Sequence, residues 1–212
     1  TSDQLPALTT LALNTLLAAD PARLTVSQVA KLSPNQISAL TTANLAALSS
    51  DQVAGMTTLQ LSALTTSQVQ AMATDRLAAL SATKVGTLPT RLLAALTSTQ
   101  VAALGTAQIG TLSSNQVAGL ETADIATWGS RQLNALGNLN WLSSAQIASL
   151  GSDALAGLST THVGEFNADM ARALTSTQMQ GLSSAQINAL TTDALQSLNT
   201  QSLAALSTQA LA

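Results

Sequence analysis

From residue 8 onward, every eighth residue is large and apolar. Leu8, Leu16, Leu24, Leu32, Leu40 and Leu48 open the series, Met56, Met72 and Trp128 stand in for Leu within it, and it reaches Leu136. Two residues then drop out; the series resumes at Leu142 and runs through Phe166 to Leu206. With the anchor as position 1, the consensus is Leu-[Ser/Thr]-[Ser/Thr]-x-Gln-[Val/Ile/Leu]-Ala-Ala, and Leu96–Ala103 is a clean copy. Position 6 carries a second apolar anchor, as in Val29, Ile37, Val53, Ile109 and Ile187, and positions 7 and 8 are mostly small. Self-similarity at a fixed short period is the mark of a solenoid, in which each repeat buries its apolar side only against other repeats.

An octad does not fit one straight helix. At 3.6 residues per turn it overshoots two turns by about 80°, so the Leu stripe would spiral away from any partner. In a strand, positions 1 and 6 point to opposite faces. A parallel β-solenoid tolerates that and is the alternative, but the abundance of Ala, Leu and Gln weighs against it. The polar positions point to helices. Ser or Thr at position 2 with Gln at position 5 is the spacing of the capping box, in which the hydroxyl accepts from the N3 amide and the Gln carbonyl oxygen accepts from the N-cap amide. Pro34 falls at N1, where proline suits a helix. Asp51, Asp75, Asp153 and Asp193 fall at N2, where the helix dipole favours an anion. The expectation is an all-α solenoid of very short helices, one per octad. Alternating Leu and Val at position 6 (Leu45, Val53, Leu61, Val69, Leu77, Val85) suggests octads paired as 16-residue units.

The whole of 1–212 reads as one array: irregular N-terminal repeats over 1–23, an in-phase block over 24–136, a register slip at 137–141, and a second in-phase block over 142–212. Near the start, Leu17 replaces a cap residue and Pro21 an apolar anchor, which predicts an irregular cap or kink. The slip copy, Leu136-Gly137-Asn138-Leu139-Asn140-Trp141, reads as lacking positions 7 and 8, with Trp141 at position 6. Trp128, Asn138, Asn140 and Trp141 mark this region as the candidate for local specialisation; the plainer account is a deletion repaired by bulky side chains. The chain opens within a repeat (Thr1–Leu5), as a segment of something longer would.

Composition narrows the function classes. Charged residues make up 8% of the chain and the net charge is −3, against roughly 25% charge in an ordinary domain. High hydropathy with little charge predicts folding rather than disorder. Seven basic residues scattered from Arg23 to Arg172 do not make a phosphate-binding face, so no nucleic-acid partner is expected. No apolar run approaches the roughly 20 residues of a membrane span. Cysteine is absent, which removes disulfides and thiolate metal sites.

Little catalytic chemistry is on offer. The single histidine, His162, stands at position 5 and replaces a cap side chain. A metal set with Glu165 and Asp169 is the sharper alternative, but Asp169 lies past the next cap and no second His or Cys exists to complete a strong site. Ser is everywhere, yet His162 is the only conventional base and no orienting acid marks one Ser out. No enzyme activity, metal or cofactor is expected. Recurrent Thr pairs (Thr41-Thr42, Thr57-Thr58, Thr65-Thr66, Thr191-Thr192) would form ladders on one face, a pattern that resembles ice-binding surfaces, although capping already accounts for position 2.

The string Leu-Thr-Ser-Thr-Gln-Val-Ala-Ala-Leu (Leu96 to Leu104) resembles the arrays of large secreted bacterial repeat proteins of the adhesin-like and haemolysin or haem-utilisation exoprotein kind. That resemblance implies a secreted or cell-surface protein whose array is a scaffold, spacer or filament-forming segment. It brings no catalytic residues, and a lone His162 gives no support to haem binding. Self-association by end-to-end stacking is expected of such an array. The rival reading is a solenoid that recognises ice, a glycan or a peptide through its Ser/Thr face.

Overall fold

The computed structural model describes residues 2–206. Thr1, with which the opening partial repeat begins, and 207–212, which close the second in-phase block, lie outside them. Among the described residues the regular structure is helical throughout, with short α-helices and brief 3-10 turns in strict succession. Contacts divide the chain into two units, Thr1–Gln108 and Ile109–Ala212, built on the same plan.

Within each octad the capping box does what its spacing demands. In the octad of helix Thr58–Ser62, the Thr57 hydroxyl accepts from the Gln60 amide at 3.2 Å, and Gln60 Oε1 accepts from the Thr57 amide at 2.8 Å. The same reciprocal pair holds Thr25/Gln28, Ser33/Gln36, Ser49/Gln52, Thr97/Gln100, Ser143/Gln146 and Thr175/Gln178. Pro34 sits in the first turn of its helix, as do Asp51, Asp75, Asp153 and Asp193 of theirs. Each helix then ends within four to six residues, because the next Ser or Thr adopts the extended backbone of an N-cap.

Helices this short are far below the roughly 12–15 residues that are even marginal alone in water; packing has to hold them. The anchors provide it. Every position-1 residue from Leu24 to Leu198 is buried, Trp128 and Phe166 to 1% exposure. Val29, Ile37, Leu45, Val53, Val101, Ile125 and Ile147 at position 6 are also sealed. The backbone links the two anchors directly, since the position-1 amide donates to the preceding position-6 carbonyl, as from Leu40 to Ile37 at 3.1 Å.

Packing partners lie three elements apart rather than two. Val26–Val29 packs on Ser50–Gly55, which packs on Thr74–Ala78; in the second unit Ser144–Ser149 packs on Ala168–Ala173, which packs on Thr192–Ser197. The Leu/Val alternation at position 6 therefore does not mark the principal packing partner.

Two stretches depart from the octad. Without a cap at Leu17, the helix Thr10–Ala19 continues for ten residues before the 3-10 turn Pro21–Arg23. A continuous helix buries residues four apart, so Leu13 and Leu17 are sealed while Leu8 and Leu16 are only half-buried; the anchor series starts properly at Leu24.

The second departure corrects the reading of the slip. Leu139, not Trp141, is fully buried in the second-anchor place, and Trp141 is half-buried. Leu142 donates its amide to Leu139 at 2.9 Å, the same three-residue link as in regular octads. The two residues were thus lost from the cap and first turn, positions 2–5, and not from positions 7 and 8. The helix shrinks to the 3-10 turn Leu139–Trp141, which still packs on Ser114–Ala118 and keeps the place of a helix.

Candidate functional site

Position 5 is where the octad's chemistry concentrates. Most of the Gln side chains there are nearly sealed, Gln60 to 1% and Gln68 to 2% exposure. Their Oε1 closes the capping box, and their Nε2 reaches into the preceding coil. Gln60 Nε2 donates to the carbonyls of Val29 (2.8 Å) and Leu32 (2.7 Å), which lie 31 and 28 residues back. Gln68 reaches Ile37 and Leu40, Gln100 reaches Val69 and Met72, Gln178 reaches Ile147 and Leu150, and Gln186 reaches Leu155 and Leu158 at the same two offsets. A coil therefore takes about 28 residues, or three and a half octads. One amide caps its own helix and stitches it to the coil before. Of the two receiving carbonyls, that of position 1 is one a short helix leaves orphaned at its C-terminal end, while that of position 6 also accepts from the next anchor amide, as Val29 does from Leu32 at 3.1 Å.

Capping alone does not select Gln, because Glu serves a capping box equally well. The stitch requires an N–H donor, and Glu is absent from position 5. At several positions where Gln is replaced other donors take over, whereas Ala154, Met170 and Ala194 offer no side-chain donor and the buried Asp124 accepts from the Glu121 amide at 3.2 Å. Arg76 Nε donates to the Leu48 carbonyl at 2.9 Å, Lys84 Nζ to that of Ala54, and Ser202 Oγ to that of Leu174 at 2.7 Å. Leu92 cannot donate, and the neighbouring Arg91 reaches Leu64 at 3.0 Å and Ser62 at 2.7 Å. Arg76, Lys84 and Arg91, three of the seven basic residues, are thus bound to the chain's own backbone.

The structure scatters the residues flagged at the slip. Trp128 is a sealed core side chain. Asn138 caps the 3-10 turn through Asn140, whose amide donates to Asn138 Oδ1 at 2.7 Å. Asn140 is exposed, with Oδ1 accepting from Asn167 Nδ2 at 3.4 Å. The Trp141 ring covers Gly137, where a Cβ would come within 2.7 Å of Cη2. Trp128 fills the core, the two Asn residues shape the turn and Trp141 covers its glycine.

His162, Glu165 and Asp169 serve three different partners. His162 Nε2 faces the Leu136 carbonyl at 3.2 Å, and Nδ1 faces the Ser159 hydroxyl at 2.9 Å. A carbonyl only accepts, so Nε2 carries the proton and Nδ1 accepts from the hydroxyl. Glu165 Oε2 accepts from the Leu139 amide at 2.7 Å, and Asp169 pairs with Arg172 at 2.8 Å. The Ser159–His162 contact has the spacing of a nucleophile and base, but a carbonyl rather than an acid orients the ring, and Ser159 Oγ also accepts the His162 amide at 3.2 Å. Among the described residues no three of His, Asp and Glu come together as a metal-holding group, and no helix is long and apolar enough to cross a membrane.

A search of curated proteins finds no match. The model of one repeat family, the ALTTAQ repeat, matches residues 22–58, 88–122 and 167–200, which together make up half the chain. Its description spells the register derived above: the small residue before the anchor, the anchor, the two hydroxyl residues, a spacer and Gln, as in Ala63-Leu64-Thr65-Thr66-Ser67-Gln68. With that register carried through a stitched helical solenoid, the chain belongs to the ALTTAQ repeat family.

Proposed function

We propose that this array is a non-catalytic scaffold or spacer segment of a secreted or cell-surface bacterial protein, in the manner of adhesin-like repeat proteins. The observation that carries the reading is the use made of the repeated polar side chains: position 2 and position 5 are consumed in capping and stitching. The polar positions that repeat in register serve the continuity of the coil. A spacer requires this, because its function is the distance it spans. Insertion of further in-phase octads, followed by small-angle scattering, tests it. The maximum dimension should rise in proportion to the number of octads added; growth as the cube root of length would refute the reading.

One observation favours a second reading, recognition of an ice or glycan surface. The position-3 residues Thr42, Thr58, Thr66, Thr122, Thr160 and Thr192 are exposed and are not the side chains that close the caps. Thermal hysteresis or glycan-array binding by the purified chain would favour this reading over an inert spacer.

A further inference from the structure

In a regular octad the N-cap amide is satisfied by Gln Oε1, so an octad without Gln leaves that amide to another acceptor or to solvent. The octad of helix Thr160–Val163 is such a case. His162 keeps the stitch to Leu136 but offers the Ser159 amide nothing, because its Nδ1 is taken by the Ser159 hydroxyl. The acceptor comes from the preceding coil: Asn134 Oδ1 accepts from the Ser159 amide at 2.9 Å, and Asn134 Nδ2 donates to the Gly157 carbonyl at 2.9 Å.

The same device recurs in the other unit. Asn44 at position 5 is one methylene shorter than Gln and turns its amide to the Asn14 carbonyl at 2.9 Å. Asn14 Oδ1 accepts from the Thr41 amide at 2.9 Å, and its Nδ2 donates to the Ala39 carbonyl at 2.8 Å. Asn14 and Asn134 both occupy position 7, elsewhere mostly small. Asn14 acts on residues 25 and 27 ahead, Asn134 on residues 23 and 25 ahead. The two residues lost at the slip lie inside the second interval and account for the difference. Among the other octads without Gln, that of Leu92 has no such need, because its cap is Pro89, which has no N–H, and in that of Asp124 the carboxylate accepts from the Glu121 amide at 3.2 Å.

We infer that Asn134 and His162 form one divided substitute for a single Gln, a clasp in which position 7 of one coil caps the helix of the next and holds the shortened coil closed. The two residues are coupled although 28 positions apart. The clasp also explains how His is accommodated at a site that requires both a donor and an acceptor, since the ring supplies the donor and Asn134 the acceptor.

The test is a double-variant cycle on the full chain, read by hydrogen exchange at the Ser159 amide and by thermal unfolding. Asn134→Ala should raise exchange at Ser159 about tenfold, the order expected for loss of one hydrogen bond. In a His162→Gln background the same change should raise it less than about threefold, because Gln Oε1 then takes the amide as Gln186 takes that of Ser183. Equal effects of Asn134→Ala in both backgrounds, or none in either, would overturn the inference. Should Asn134→Ala fail to fold, Asn14→Ala with and without Asn44→Gln, read at the Thr41 amide, poses the same question in the other unit. Rescue by Asn44→Gln supports the clasp, and its failure refutes it.

Discussion

The stitch makes a sharp prediction for the isosteric change Gln60→Glu. The carboxylate keeps the shape of the side chain and can still accept from the Thr57 amide, so the capping box survives. The second oxygen, however, lies where Nε2 now donates to Val29 at 2.8 Å and Leu32 at 2.7 Å, in a site that is 1% exposed. Two hydrogen bonds worth about 1 kcal/mol each are lost, and the Leu32 carbonyl is left buried without its donor at a further cost of roughly 1–2 kcal/mol. The expected loss near pH 7 is about 3–4 kcal/mol, a large fraction of the roughly 5–15 kcal/mol that holds a domain together. Gln28→Glu is the internal control. Gln28 closes its capping box with Thr25 at 2.9 Å, but among the described residues its Nε2 has no carbonyl one coil earlier, so the expected change is within about 0.5 kcal/mol. Urea unfolding followed by circular dichroism measures both. The sign with pH is fixed as well. Burial against two carbonyls raises the pKa of the introduced Glu in the folded state above its unfolded value of about 4.3. Protonation thus restores stability, the deficit being smallest below pH about 4.3 and growing as pH rises through the folded value. If Gln60→Glu and Gln28→Glu cost the same, Gln at position 5 is only a cap and the stitch is unimportant.

Several other changes test separate parts of the structure. Leu139→Ala should cost about 2–5 kcal/mol and Trp141→Ala appreciably less, as calorimetry would show, because Leu139 is the sealed anchor. The reverse order would restore Trp141 to position 6. Gly157→Ala should destabilise by about 1–3 kcal/mol in urea unfolding, since its Cβ would come within 2.5 Å of Ser130 Cβ; no change in midpoint would show that the coils can move apart at no cost. Thr97→Ala should cost about 1 kcal/mol by removing the hydroxyl that accepts from Gln100, and an unchanged thermal midpoint would contradict that. Desolvation is the largest single influence on Asp75 and opposes its ionisation, but hydrogen bonds from Ser50 and Arg76 and the Arg76 charge together outweigh it and hold its carboxyl below the ordinary value. The stabilisation from Asp75 is therefore present above the unfolded pKa and fades as pH falls through the folded one. Ser50→Ala should move the Asp75 carbon-13 titration upward.

The helices, their caps and their anchors are legible in the sequence because each depends on residues within one octad. Thr57 and Gln60 are three apart, and nothing beyond them is needed to read the cap. What escaped depends on the coil. The partners of Gln60 lie 28 and 31 residues away, and local periodicity does not say which octads become neighbours. The strict preference for Gln over Glu was the available signal. The slip was misplaced for a related reason. Counting forward from Leu136 puts Trp141 at position 6, whereas the structure preserves the count backward from Leu142, because the link from position 6 to the next anchor is a backbone hydrogen bond and the first turn of a helix is expendable. Trp128, Asn138, Asn140 and Trp141 stand out in the sequence because they are unusual; the structure places Trp128 in the core, Asn138 and Asn140 in the turn of the shortened octad, and Trp141 over Gly137. At the N-terminus, the missing cap at Leu17 was visible, but its consequence, a burial pattern rewritten to Leu13 and Leu17, follows only once the helix is known to continue.

The fixed reach of the Gln stitch bears on how such arrays change over generations. An ordinary octad finds interchangeable carbonyls wherever it lands, so unequal recombination can add or remove whole octads and leave every stitch made. The Asn14–Asn44 and Asn134–His162 pairs behave differently. Each binds one octad to a particular partner in the next coil, and a gain or loss of copies between them would separate the two halves. Copy number should therefore drift freely among relatives outside these intervals and stay constant within them, so that a few asparagines act as fixed marks along an otherwise extensible array.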